Sequence, residues 1–171
     1  MSSNSKHVLM VIAHNNFRDE EYTSARNRLE TNGTRVTVAS TVRTDARGSQ
    51  GLKLDPGLLI DDVDPGQYDG VVFIGGTGAS QYWHDVKAHE IATALNNEGK
   101  VVAACSHAPA LLAVAGLLKD KKATGHVTIY EKLQVAGAYY TGSKTEKDGN
   151  IITSSGVNAA KEFAEMLTQA V

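Results

Sequence analysis

The run Val101-Val102-Ala103-Ala104-Cys105-Ser106-His107-Ala108-Pro109 sets a thiol, a hydroxyl and an imidazole where a buried strand turns into an apolar helix. A turn this tight holds one side chain exposed at the sheet edge, and the backbone N–H groups that follow point into the same space. That arrangement suits a nucleophile with an oxyanion hole, because a helix N-terminus stabilises developing negative charge. The plainer reading is a strand-to-helix turn with Ser106 as the N-cap. A second run, Phe17-Arg18-Asp19-Glu20-Glu21-Tyr22, opens a helix directly after the first core strand. Its acids complement the helix dipole. One of them pointing into the cleft would have a raised pKa and could exchange protons there. A third run, Gly75-Gly76-Thr77-Gly78, has paired glycines that let the backbone approach a ligand closely. His107 and His126 are candidates for proton transfer, although each singly reads as a structural or surface histidine. Cys105, as the last strand residue, reads as a packed core thiol.

Alternating strands and helices must position these groups. Val8–Ala13, Arg35–Ser40, Gly70–Ile74 and Val101–Cys105 read as strands, and the first, third and fourth are apolar enough to be covered on both faces. Asp19–Asn32 reads as a helix with the apolar stripe Tyr22, Ala25 and Leu29, stopped by Gly33. Helices are also expected over Asp85–Asn97, Ala108–Leu118, Thr128–Val135 and Asn158–Ala170. Residues 41–66 read as irregular structure with short edge strands at Leu52–Leu54 and Leu58–Ile60. Tyr139–Thr141 and Asn150–Thr153 read as strands, with a turn over Lys147–Asn150. This alternation predicts one α/β domain over residues 1–171, with a mostly parallel sheet covered by helices on both faces. Ligands in such sheets sit at the carboxyl ends of strands, near a topological switch point. Residues 15–21, 75–78 and 106–109 should therefore meet.

The composition is that of an ordinary soluble domain, with 42% apolar and 21% charged residues. A formal net charge of -2 gives no reason to expect nucleic acid or an anionic membrane as a partner. A single cysteine excludes an internal disulfide. The polar opening Met1–Lys6 and the short apolar run after it match neither a signal peptide nor a membrane span, so a cytoplasmic location is expected. There is no GxGxxG fingerprint and no phosphate loop with lysine, so no nucleotide cofactor is expected. His14, His84 and His89 lack metal-ligand spacing, and no metal is expected.

Taken together, these motifs resemble the ThiJ/PfpI superfamily over nearly the whole chain. LMVIA followed by NFRDEEY resembles its first strand and acidic helix start. FIGGTGA resembles its glycine turn, and VAACSHAP its nucleophile elbow, usually A-[IA]-C-x-[GSA]-P. GLLKDKKAT, His126 and EKDGNIITSSG resemble its C-terminal third. The resemblance implies a flavodoxin-like sandwich, similar also to class I glutamine amidotransferases. It implies that Glu21 hydrogen-bonds the nucleophile and that His126 lies nearby. It also implies an oxyanion hole from the backbone N–H groups of Gly76 and His107, with Gly75 in the same glycine turn. Aligned on Pro109, Ser106 and not Cys105 takes the position of the family's cysteine. A one-residue shift would turn the cysteine to the other face of the strand. The serine fits a natural divergence or an engineered Cys→Ser replacement.

Relatives act on reactive carbonyls as glyoxalases and deglycases, or on amide-like bonds. The resemblance therefore implies a small-molecule substrate, no cofactor, and a homodimer or larger homo-oligomer. The competing expectation is a stress-response or chaperone-like relative that is catalytically silent, because a serine hydroxyl needs a general base where a thiol does not. Tyr82 and Trp83 are expected either to serve an interface or lid, or to pack onto the domain itself.

Overall fold

The computed structural model describes residues 5–171; the first four residues of the polar opening lie outside it. A seven-stranded sheet runs in the order β11-β12-β8-β7-β1-β3-β6. Its members are β1 (His7–Val11), β3 (Arg35–Ser40), β6 (Gly57–Leu59), β7 (Gly70–Phe73), β8 (Val101–Cys105), β11 (Thr145–Asp148) and β12 (Ile151–Ser154). Every pairing in it is parallel except β11 against β12. All of β7 and β8, and all of β1 but His7, are buried. Their continuous apolar sequence is what a strand covered on both faces requires.

Among the described residues the α-helices are α1 (Asp19–Thr31), α2 (Val86–Asn97), α3 (Pro109–Val114), α4 (Tyr130–Val135) and α5 (Ala160–Ala170), and α4 packs on α3 and not on the main sheet. In α2, Asp85 accepts a hydrogen bond from the Ala88 N–H at 2.8 Å, and Ala88, Ile91, Ala92 and Leu95 form the buried stripe. Such a cap stabilises a helix by about 1 kcal/mol. Helices α1 and α5 pack together, as do α2 and α3. The chain leaves β1 toward β3 through α1, and leaves β7 in the opposite direction toward β8 through α2. Right-handed crossovers then put α1 and α2 on opposite faces. The reversal makes the junction of β1 and β7 the switch point.

Several sequence expectations change in detail. A strand β2 (Asn15–Phe17) stands between the first core strand and α1, and joins β4 (Ala46–Gly48) and β5 (Lys53–Leu54) in a small sheet. Tyr139–Tyr140 (β10) pairs with β9 (Lys122–Ala123) and not with the main sheet. The turn over Lys147–Asn150 is the end of a hairpin whose first arm, β11, was not expected. The helix expected over Ala108–Leu118 ends at Val114, because Gly116 turns to φ 81° and Leu117 bonds back to Leu112 O. The last two helices are each preceded by a single 3₁₀ turn, Val127–Ile129 and Val157–Ala159.

Candidate active site

Ser106 follows β8 with φ at 49°. The other non-glycine residues with positive φ among those described are Asn16, Asp45 and Asp120, types that tolerate this region. Serine is strained there by about 1–2 kcal/mol. The strain is held by neighbours: the Ser106 N–H donates to Ser154 O at 2.9 Å, and the His126 N–H donates to Ser106 O at 2.8 Å. Strand β12 and the loop before α4 thus impose the elbow. Ser106 does not cap the helix. Ala108 occupies the cap position without a side-chain bond, and Ser106 Oγ turns toward the ends of β1 and β7. Helix α3, with six residues, offers a shorter dipole than the sequence suggested.

Ser106 Oγ accepts a hydrogen bond from the Gly76 N–H at 3.0 Å and donates to Glu21 Oε2 at 3.2 Å. Of the three acids opening α1, only Glu21 enters the site. Asp19 accepts from the N–H of Leu52 at 2.9 Å, and Glu20 pairs with Arg18. Glu21 is 2% exposed, and burial raises its pKa to about 6 against the opposing hydrogen bonds from Ser106 and Cys105, the Arg18 charge and the Gly75 backbone. Gly75 lies against both the acid and the elbow. A Cβ there would strike Ser106 Oγ and the Cys105 carbonyl and lie 2.7 Å from Glu21 Oε2, so only glycine fits. Gly76, with φ 98°, has no room either: a Cβ would lie 2.7 Å from Arg18 N.

Cys105 ends β8 and is buried, its thiol 3.4 Å from Glu21 Oε2. Burial and the neighbouring acid push its pKa well above the usual thiol value, so it is a packed, protonated group. His107 and His126 stack with ring centroids 4.3 Å apart. Burial and the His126 charge lower the His107 pKa from 6.5. His126 Nδ1 is tied to Thr128, 2.8 Å from its hydroxyl and accepting from its N–H at 3.2 Å. Trp83 Nε1 donates to His107 O at 2.8 Å, and Tyr82 is buried with its hydroxyl donating to Ile12 O at 2.8 Å. Both aromatics pack onto the domain itself, and Tyr82 is not available to an interface.

One cavity of about 370 Å³ is lined by Glu21, Gly76, Ser106, His107 and His126, by Arg18 and Thr77 of the same runs, and by residues outside the runs expected to meet, Ser49 and 155–158. Residues 155–158 follow the carboxyl end of β12, so the strand-end rule applied to that strand would have found them. Arg18 was hidden in a run read for its acids. Among the described residues no group of three or more His, Cys, Asp or Glu gathers as a metal would require. No helix among them is long and apolar enough to cross a membrane.

A parallel-sheet α/β sandwich with an acid-supported strand-to-helix elbow is the class that fold and site define. The chain belongs to the DJ-1/PfpI family, which matches residues 6–170. It is 38% identical over 167 residues to an uncharacterized protein of Methanocaldococcus jannaschii, covering 96% of this chain and 82% of that protein. It is 32% identical over 146 residues to Deglycase PfpI of Pyrococcus furiosus, covering 85% and 88%. A ThiJ/PfpI domain protein from Brachyspira murdochii superposes with a TM-score of 0.94 at 27% identity, over 98% of this chain and 97% of that one.

Proposed function

We propose that this chain is a glyoxalase- or deglycase-type enzyme acting on small reactive carbonyl compounds, with Ser106 in the place of the family's cysteine nucleophile. The observation that carries this reading is Ser106 Oγ, strained into the cavity between the Gly76 N–H and the Glu21 carboxyl. The deglycase name of the Pyrococcus furiosus relative supports the substrate class. With a pKa of about 6, Glu21 is mostly ionised at neutral pH and accepts the Ser106 proton as the oxygen adds to an aldehyde carbon. In this reading the backbone N–H groups of Gly76, already at Ser106 Oγ, and of His107 serve as donors to the charge that develops on the carbonyl oxygen. His126, beside His107, moves the proton between adjacent carbons that converts a dicarbonyl adduct to an ester, which water then releases as a 2-hydroxy acid.

The test is lactate formation from methylglyoxal. Ser106→Ala is expected to abolish it, and Ser106→Cys to increase it, since a thiol ionises far more readily than a hydroxyl. Undiminished turnover in Ser106→Ala ends the assignment. A catalytically silent protein is the second reading, favoured by a hydroxyl in this place. It predicts no lactate from the chain as it stands and lactate from Ser106→Cys.

A further inference from the structure

Three of the four buried side-chain polar atoms without a partner among the described residues belong to residues lining one cavity: Arg18 Nε, Glu21 Oε1 and His107 Nδ1. Buried polar atoms are nearly always hydrogen-bonded, so orphans gathered around one space call for a partner the chain itself does not supply. Arg18 is the cationic member. Its N–H donates to Gly75 O at 2.9 Å, which fixes the residue beside the glycine turn. Its one ionic contact among the described residues, Nη2 to Glu20 Oε1 at 3.5 Å, is long and partly exposed, with the two side chains 32% and 44% accessible. A pair of that kind contributes little and is readily displaced. Glu21, the other acid here, has its Oε2 engaged by Ser106 and Cys105, and among the described residues it forms no ion pair with Arg18. The guanidinium is therefore available to an incoming anion, and its planar fork matches a carboxylate.

We propose that the cavity beside Ser106 selects carbonyl compounds that also carry a carboxylate, which binds Arg18 while the carbonyl group faces Ser106. The inference rests on the reading of this cavity as the substrate pocket. It does not depend on turnover, because binding alone tests it. A volume of about 370 Å³ suits such small oxo acids.

Calorimetric binding of pyruvate against pyruvamide, and of 4-oxopentanoate against its amide, separates the charge from the skeleton at two chain lengths. At least one carboxylate is expected to bind about ten-fold more tightly than its amide, with the preference weakening as salt rises. Arg18→Gln is expected to bring the ratio near one, and Arg18→Lys to keep part of it. Ser106→Ala is expected to keep the preference even though its turnover is lost, so failure of the enzyme assignment and failure of this proposal give different results. The proposal is overturned if neither carboxylate is preferred, or if the preference survives Arg18→Gln. It is overturned equally if Arg18→Gln shifts only the pH profile of turnover, which would limit Arg18 to tuning Glu21. Should Arg18→Gln not fold, the carboxylate-to-amide ratio of the unaltered chain and its salt dependence decide.

Discussion

On the strand side of the cavity, Glu21, Cys105 and Ser106 are closed off from solvent, whereas on the loop side His107 and His126 stack together half-buried. Both sides shift their ionisable groups by the same cause. Removal from water disfavours charge, so the acid moves up to about 6 and the His107 imidazole moves down from 6.5. The two walls thus shift in opposite directions from their ordinary values. The closed wall is packed around a glycine, and in the open wall the His126 charge adds to the effect of burial.

Gly75→Ala should break the closed wall most severely. Its methyl has no space beside Ser106 Oγ, Cys105 O and Glu21. Turnover is expected to fall by about 100-fold from misplacement of the reacting groups. Urea unfolding should show a loss of about 2–3 kcal/mol from overpacking. Gly125→Ala, next to His126, meets the end of the Ile129 side chain at 2.7 Å and the Ser106 carbonyl only at 3.2 Å, and should cost less in both measurements. Equal losses would erase the contrast between the walls.

Glu21→Gln sharpens the contrast through pH. The folded protein holds the Glu21 proton up to about pH 6, while the unfolded chain releases it near the ordinary 4.5. Stability from this group is therefore complete below pH 4.5 and lost as pH rises through 6, a difference of about 2 kcal/mol. Glu21→Gln should thus be close to the unaltered chain at pH 4 and more stable than it at pH 8, by chemical denaturation at both pH values.

His107 runs the other way. Its folded pKa is depressed, so its contribution is present above 6.5 and lost as pH falls below that value. Proton NMR should show His107 titrating below 6.5. A midpoint above it would contradict the burial argument.

The smallest effect concerns Cys105. A buried, protonated thiol should resist a thiol-specific reagent in the native protein and react once urea unfolds it. Rapid native labelling would mean the closed wall opens.

The central strands and α1 were legible because they carry continuous apolar runs or a regular stripe, and both patterns are local. β9, β10 and β5 are two residues long and β4 three, too short to hold a pattern, and β11 is mostly polar because it is an antiparallel edge. The position of the elbow followed from a strand running into a helix. The direction of Ser106 Oγ did not, because β12 and the loop before α4, distant in sequence, impose it. The choice of Glu21 over Asp19 and Glu20 was open to the residues themselves, since three consecutive acids differ only in helical phase. Only the family resemblance singled it out.

The left-handed turn at residue 106 is enforced from outside by two peptide groups, so it acts as a socket indifferent to what is plugged into it. A hydroxyl and a thiol would start from the same backbone geometry, which makes this single position a calibrated place to compare oxygen with sulfur.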